Sequence, residues 1–112
     1  MVVLPYDSRE QVTSGVLVEA VAAGIPVVAT AFPHAVELLA DGPGLVVPHQ
    51  DPAALAAAVR RILTEPGLAG ELIGRGRPLA AASRWPVVAQ RYADLARGLV
   101  RSRPAALDAV AA

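Results

Sequence analysis

The stretch QVTSGVLVEAVAAGIPVVAT, residues 11–30, combines the pattern of a helix with that of a strand. It opens with Thr13 and Ser14, which are residue types that cap helix N-termini, and continues with a mostly apolar run that ends at a glycine. A proline then separates this run from a second, short apolar run, which is typical of a buried strand. The stretch therefore predicts a helix over 16–23 followed by a strand over 27–30.

The same alternation continues on both sides of this stretch. Short apolar runs bounded by proline or glycine predict strands over 2–4 and 44–47. A short helix is predicted over 34–40. An amphipathic helix follows Asp51 and Pro52, because this pair combines a capping carboxylate with a proline suited to the first helical position.

The second half of the chain predicts only helices. The pattern over 68–82 is weaker and is interrupted at Gly74, Gly76 and Pro78. A last helix is predicted over 85–101. Its apolar stripe is formed by Val88, Tyr92, Leu95 and Leu99.

This alternation indicates an α/β fold, a Rossmann-like partial parallel sheet with flanking helices. In such sheets ligands bind in the crevice at the carboxyl ends of the strands. Three strands are few for a doubly wound sheet, and 112 residues suffice for about one small domain. We therefore expect one N-terminally incomplete domain over 1–103, a flexible tail over 104–112, and either a second chain or a longer protein around it.

Charge and composition restrict the class of protein. Residues 1–59 carry one arginine and six carboxylates, whereas residues 60–112 carry nine arginines and four carboxylates. Because the arginines are spread along helices, no nucleic-acid partner is expected, and contact with anionic lipid stays open. The absence of cysteine excludes disulfides and cysteine metal sites. With neither a signal peptide nor a long apolar segment, the expected location is cytoplasmic, with peripheral contact to the inner membrane face as an open extension.

One carboxylate, Glu19, lies inside the apolar helix of the opening stretch. No basic residue stands at a helical spacing that would pair with it, so its partner has to come from elsewhere. The preceding helix end offers unpaired backbone N–H groups that suit a phosphate, and Glu19, further along, suits the vicinal hydroxyls of a ribose. On the residues alone, a nucleotide site and an exposed glutamate that merely favours the helix N-terminus are both open.

These motifs resemble a known family. The opening stretch, followed by ELLADGPGLVVPHQDPAALAAAVRRIL at 37–63, is similar to the C-terminal, donor-binding half of group 1 retaining glycosyltransferases, which have the two-domain GT-B fold. The similarity extends over residues 2–64 and more weakly to Arg84 and Trp85. It implies sugar transfer from a UDP- or GDP-sugar donor, with no further cofactor and no metal.

The resemblance also implies roles for individual residues. In this family two spaced glutamates flank a glycine-containing turn; the second binds the ribose and the first binds the transferred sugar. Glu19 matches the second, and Gln11 stands in place of the first, so both are assigned catalytic roles, although Gln11 carries no charge. The residues assigned to donor binding are Thr13, Ser14, Gly15, Val16 and Glu19, with the amides of Ser14, Gly15 and Val16 facing the distal phosphate.

Another departure from the family pattern is the pair Pro33 and His34, where paired glycines usually lie close to the sugar. His34 either contacts the donor or acceptor or simply starts a helix, and both interpretations are open. Glu37 matches a frequent glutamate of the family and is assigned a structural role.

The implied partners are the nucleotide sugar and an N-terminal acceptor-binding half, without which the chain is expected to be inactive. Exposed apolar edges predict self-association into a homo-oligomer. Two competing interpretations are kept. The first is a non-catalytic module for nucleotide-sugar binding or oligomerisation, and the second is a sugar epimerase or phosphorylase on the same fold.

Overall fold

The computed structural model describes residues 1–102 and shows a parallel sheet flanked by helices. The strands lie in the order β1 (Val2–Leu4), β2 (Val27–Thr30) and β3 (Gly44–Val47). The helices are α1 (Gly15–Ala22), α2 (Pro33–Leu39), α3 (Pro52–Thr64), α4 (Leu68–Ala82) and α5 (Trp85–Arg101). The α/β fold class predicted from the sequence is confirmed, and the predicted tail over 104–112 lies outside the described residues.

The predicted bounds hold closely. All three strands begin and end where the sequence predicts. Helices α1 and α2 begin and end one residue earlier than predicted, because Ser14 and Phe32 occupy their N-cap positions. Differences of one residue are ordinary at helix ends.

The central strand β2 is buried along its whole length. Val27 and Ala29 belong to a core cluster with residues of α1 and α2, whereas Val28 belongs to a second cluster with residues of α3 and α4. Successive side chains of a strand point to opposite faces, so helices cover both faces of the sheet. This is the layering expected of a parallel sheet.

The carboxyl ends of β1 and β2 are tied together by Thr30. Its hydroxyl lies 2.6 Å from the carbonyl oxygen of Tyr6, to which it donates, and 3.3 Å from that of Leu4. The Tyr6 ring lies against Phe32, with 5.1 Å between the ring centroids. The loop that leads from β1 to α1 therefore starts from a fixed position at this edge of the sheet.

Helix α4 is continuous, so the predicted interruption at Gly74, Gly76 and Pro78 is wrong. Gly76 is buried, and a Cβ added there would lie 3.1 Å from the Cβ of Pro43 and 3.7 Å from Val21 of α1. The missing side chain thus allows α4 to approach its neighbours closely. This packing stabilises the helix against the weak helix propensity of its glycines and proline.

Helix α5 leaves its apolar stripe exposed. Tyr92, Leu95 and Leu99 are 71%, 60% and 66% exposed, and no residue of α5 is buried. The stripe predicted from the sequence lies along one helix face, but nothing within residues 1–102 covers it. None of the helices in this part of the chain combines the length and apolarity needed to cross a membrane.

Two glycine substitutions are predicted to change stability in opposite directions. A Cβ at Gly44 would lie 2.6 Å from the carbonyl oxygen of Val27 on the neighbouring strand, whereas a Cβ at Gly74 meets nothing within 4 Å. Gly44→Ala should lower the free energy of unfolding by about 1–3 kcal/mol because the strands must move apart. Gly74→Ala should raise it by about 0.5–1 kcal/mol, because alanine is the better helix former. Urea unfolding measures both; a stabilising Gly44→Ala would contradict the close approach of β2 and β3.

Candidate functional site

The candidate site lies where the chain leaves the carboxyl ends of β1 and β2. The loop after β1 leads to the N-terminus of α1, and the short connection after β2 leads to the N-terminus of α2. Because β1 and β2 are parallel neighbours, both helix N-termini lie at the same edge of the sheet. The site residues predicted within 11–19 therefore lie on the same side of the molecule as His34.

Ser14 is the N-cap of α1 and is 3% exposed. Its hydroxyl oxygen accepts the backbone N–H of Leu17 at 3.2 Å, and its carbonyl oxygen accepts that of Val18 at 3.3 Å. Its own N–H donates to Nδ1 of His34 at 2.9 Å. The Ser14 amide, which the resemblance assigns to a phosphate, is thus engaged within the protein.

The next two amides, those of Gly15 and Val16, have no hydrogen-bond acceptor among residues 1–102. The space beside Gly15 is open, because a Cβ placed there would meet no atom within 4 Å, and Val16 is half exposed. Both N–H groups belong to the first turn of α1, where the helix dipole favours negative charge. This turn can therefore bind an anion such as a phosphate.

Glu19 is exposed on α1. The carboxylate has no hydrogen bond or ion pair within the described part of the chain. It borders a cavity of about 620 Å³, together with Gly15 and Val18 on α1 and with Arg84 and Trp85 at the junction of α4 and α5. Its oxygens are available to accept hydrogen bonds from a ligand.

Gln11 and Thr13 lie in the loop that precedes α1. The side-chain nitrogen of Gln11 donates to the carbonyl oxygen of Thr13 at 2.9 Å, and Gln11 is half-buried. Thr13 is exposed, and Ser14 rather than Thr13 caps the helix. Gln11 and Glu19 lie in the same segment, which runs from the loop into α1. No hydrogen bond joins the two residues within residues 1–102.

His34 is the site residue whose contact the sequence did not predict. Its bond to Ser14 joins residues 20 positions apart, and no local spacing indicates such a pair. The available signal was topological, since both residues follow the carboxyl ends of neighbouring parallel strands.

No group of three or more acidic or histidine side chains in residues 1–102 is arranged to hold a metal ion.

A family model described as glycosyl transferases group 1 matches residues 1–65, which is more than half of the chain. The chain belongs to this family. The matched region contains the whole candidate site, from Gln11 through Glu19 to His34. Helices α4 and α5 lie beyond the match.

A solved structure similar to this group 1 chain is that of sucrose-phosphate synthase from Thermosynechococcus elongatus. The TM-score is 0.69 and the sequences are 35% identical, over 81% of the chain. The chain spans only 23% of the length of that protein. No curated protein matches the chain.

Proposed function

We propose that this chain is the donor-binding part of a retaining glycosyltransferase, which takes a UDP- or GDP-sugar and transfers its glycosyl group to an acceptor. The observation that carries this proposal is the first turn and a half of α1, where two amides and then a glutamate have no hydrogen-bond partner in the described part of the chain. Family membership supports glycosyl transfer over the epimerase and phosphorylase alternatives.

The diphosphate binds at the amides of Gly15 and Val16. Hydrogen bonds from backbone N–H groups to an ionised oxygen are stronger than bonds between neutral groups. The open space beside Gly15 allows a phosphate to approach the backbone closely. Because the cap residue Ser14 is neutral, no side-chain carboxylate of the cap competes with the phosphate for the positive end of α1.

The ribose binds at Glu19. A carboxylate has two oxygens that each accept hydrogen bonds, which matches the two vicinal hydroxyls of a ribose. Glu19 lies four positions after Gly15 and borders the same cavity, so a nucleoside diphosphate held by the first turn can place its ribose at this carboxylate. The exposure of Glu19 leaves both carboxylate oxygens accessible to the ribose hydroxyls.

Transfer requires stabilisation of the leaving nucleoside diphosphate, on which negative charge grows as the glycosidic bond breaks. The fixed amides of α1 supply this stabilisation without reorganisation. Gln11 contributes a carboxamide that can hydrogen-bond the transferred sugar. The acceptor and the remaining part of the cleft are assigned to an N-terminal half, as the family resemblance implies.

Replacing Glu19 should weaken binding of the ribose. In calorimetric titration, Glu19→Ala is expected to bind UDP or GDP about 10- to 100-fold more weakly, because hydrogen bonds to a charged group are lost. With the 2′-deoxy and 3′-deoxy nucleotides the loss should shrink, since one bonded hydroxyl is already missing. Glu37→Ala is the matched control, because Glu37 is also an exposed helical glutamate. Equal losses in both variants, or no binding of either nucleotide to the unsubstituted chain, would contradict the proposal.

Replacing Gly15 by alanine should weaken nucleotide binding without lowering the stability of the folded chain. The chain itself leaves room for this group, so Gly15→Ala is expected to unfold at the same urea concentration as the unsubstituted chain or slightly higher. The methyl group would nevertheless crowd a phosphate at the first turn, and UDP or GDP should bind at least about tenfold more weakly. Gly70→Ala, which also faces open space, serves as the control. Unchanged nucleotide affinity in Gly15→Ala would exclude the first turn as the phosphate site.

A further inference from the structure

The hydrogen bond between His34 and Ser14 determines which ring nitrogen of the neutral imidazole carries the proton. Its Nδ1 atom accepts the Ser14 N–H at 2.9 Å in a partly buried position. A ring nitrogen that accepts a hydrogen bond carries a lone pair rather than a proton. The neutral imidazole of His34 therefore carries its proton on Nε2.

The Nε2–H group of His34 is left available. No atom of residues 1–102 hydrogen-bonds to Nε2, and Nε2 is not among the buried polar atoms that lack a partner. One imidazole ring separates it from the Ser14 amide, which directly precedes the free amides of Gly15 and Val16. The ring thus offers a further N–H donor at the edge of the sheet where α1 begins.

We propose that His34 binds the distal phosphate of the donor through Nε2–H. This inference rests on the proposed function, which places a diphosphate at the Gly15 and Val16 amides. The leaving phosphate gains negative charge during transfer, and a fixed neutral donor stabilises that charge without giving up its proton. The Ser14 bond holds the ring before the ligand arrives, so little side-chain freedom is lost on binding.

Two substitutions separate the functions of the two ring nitrogens. In His34→Asn the side-chain oxygen can replace Nδ1 as the acceptor for Ser14, but nothing replaces Nε2–H. In His34→Gln the longer side chain can place an N–H group near the Nε2 position, but the acceptor for Ser14 is lost. Thermal unfolding reports on the Ser14 bond, and calorimetric titration reports on the phosphate contact.

We expect His34→Asn to unfold at the temperature of the unsubstituted chain and to bind UDP or GDP about tenfold more weakly. UMP and GMP, which lack the distal phosphate, should bind to this variant and to the unsubstituted chain equally. His34→Gln should unfold at a lower temperature and recover part of the preference for the diphosphate. If His34→Asn keeps the full affinity for UDP and GDP, or loses affinity for mono- and diphosphates equally, the inference is overturned.

Inorganic pyrophosphate distinguishes the failure of this inference from the failure of the proposed function. Nitrogen NMR of the His34 ring should show a protonated Nε2 and an unprotonated Nδ1, and pyrophosphate should shift the Nε2 resonance. A shift with pyrophosphate but no binding of any nucleotide would contradict the proposed function and support the contact with His34. A protonated Nδ1, or an Nε2 resonance that pyrophosphate leaves unchanged, would overturn the inference even if nucleotides bind at Glu19.

Discussion

The site depends on the hydrogen bonds of one buried residue, Ser14. Its hydroxyl and carbonyl oxygens accept the amides of Leu17 and Val18, which fixes where α1 begins. Its own amide donates to His34, which fixes α1 against α2. Because three backbone and side-chain groups of a single residue are satisfied in this way, the next two amides, at Gly15 and Val16, keep a fixed direction, and neither has an acceptor within residues 1–102. A preorganised pair of donors is what a diphosphate needs.

Helix α3 differs from α1 in how its N-terminus is capped. Helix α3 begins after Asp51, whose carboxylate accepts the Ala54 N–H at 2.8 Å, and its first residue, Pro52, has no N–H. The negative charge of Asp51 already compensates the positive end of that helix. Helix α1 has the neutral cap Ser14 and no acidic residue in its first turn. Two helices of the same sheet therefore differ in their capacity to bind an anion because of their cap residues.

The sequence predicted the strands well because each is a short apolar run between proline or glycine residues, which is a local signal. It failed at α4, where the buried Gly76 packs against residues distant in sequence and where tertiary contacts outweigh helix propensity. The sequence left the exposure of Glu19 open, since a sequence pattern does not show which helix face the rest of the protein covers. The link between Ser14 and His34 depends on topology rather than spacing: the predicted parallel sheet brings both residues to one edge, but the hydrogen bond itself is seen only in the structure.

The most direct test of the site at α1 is a titration of the isotope-labelled chain with UDP and GDP, followed through its backbone amide resonances. The amides of Gly15 and Val16 should shift most with one of the two nucleotides, because they donate to the diphosphate. The amide of Ala53, in the first turn of α3, should stay unchanged, since Asp51 already occupies that helix end. Unchanged resonances at Gly15 and Val16 on saturation with both nucleotides, or equal shifts at Ala53, would contradict a specific donor site at the N-terminus of α1.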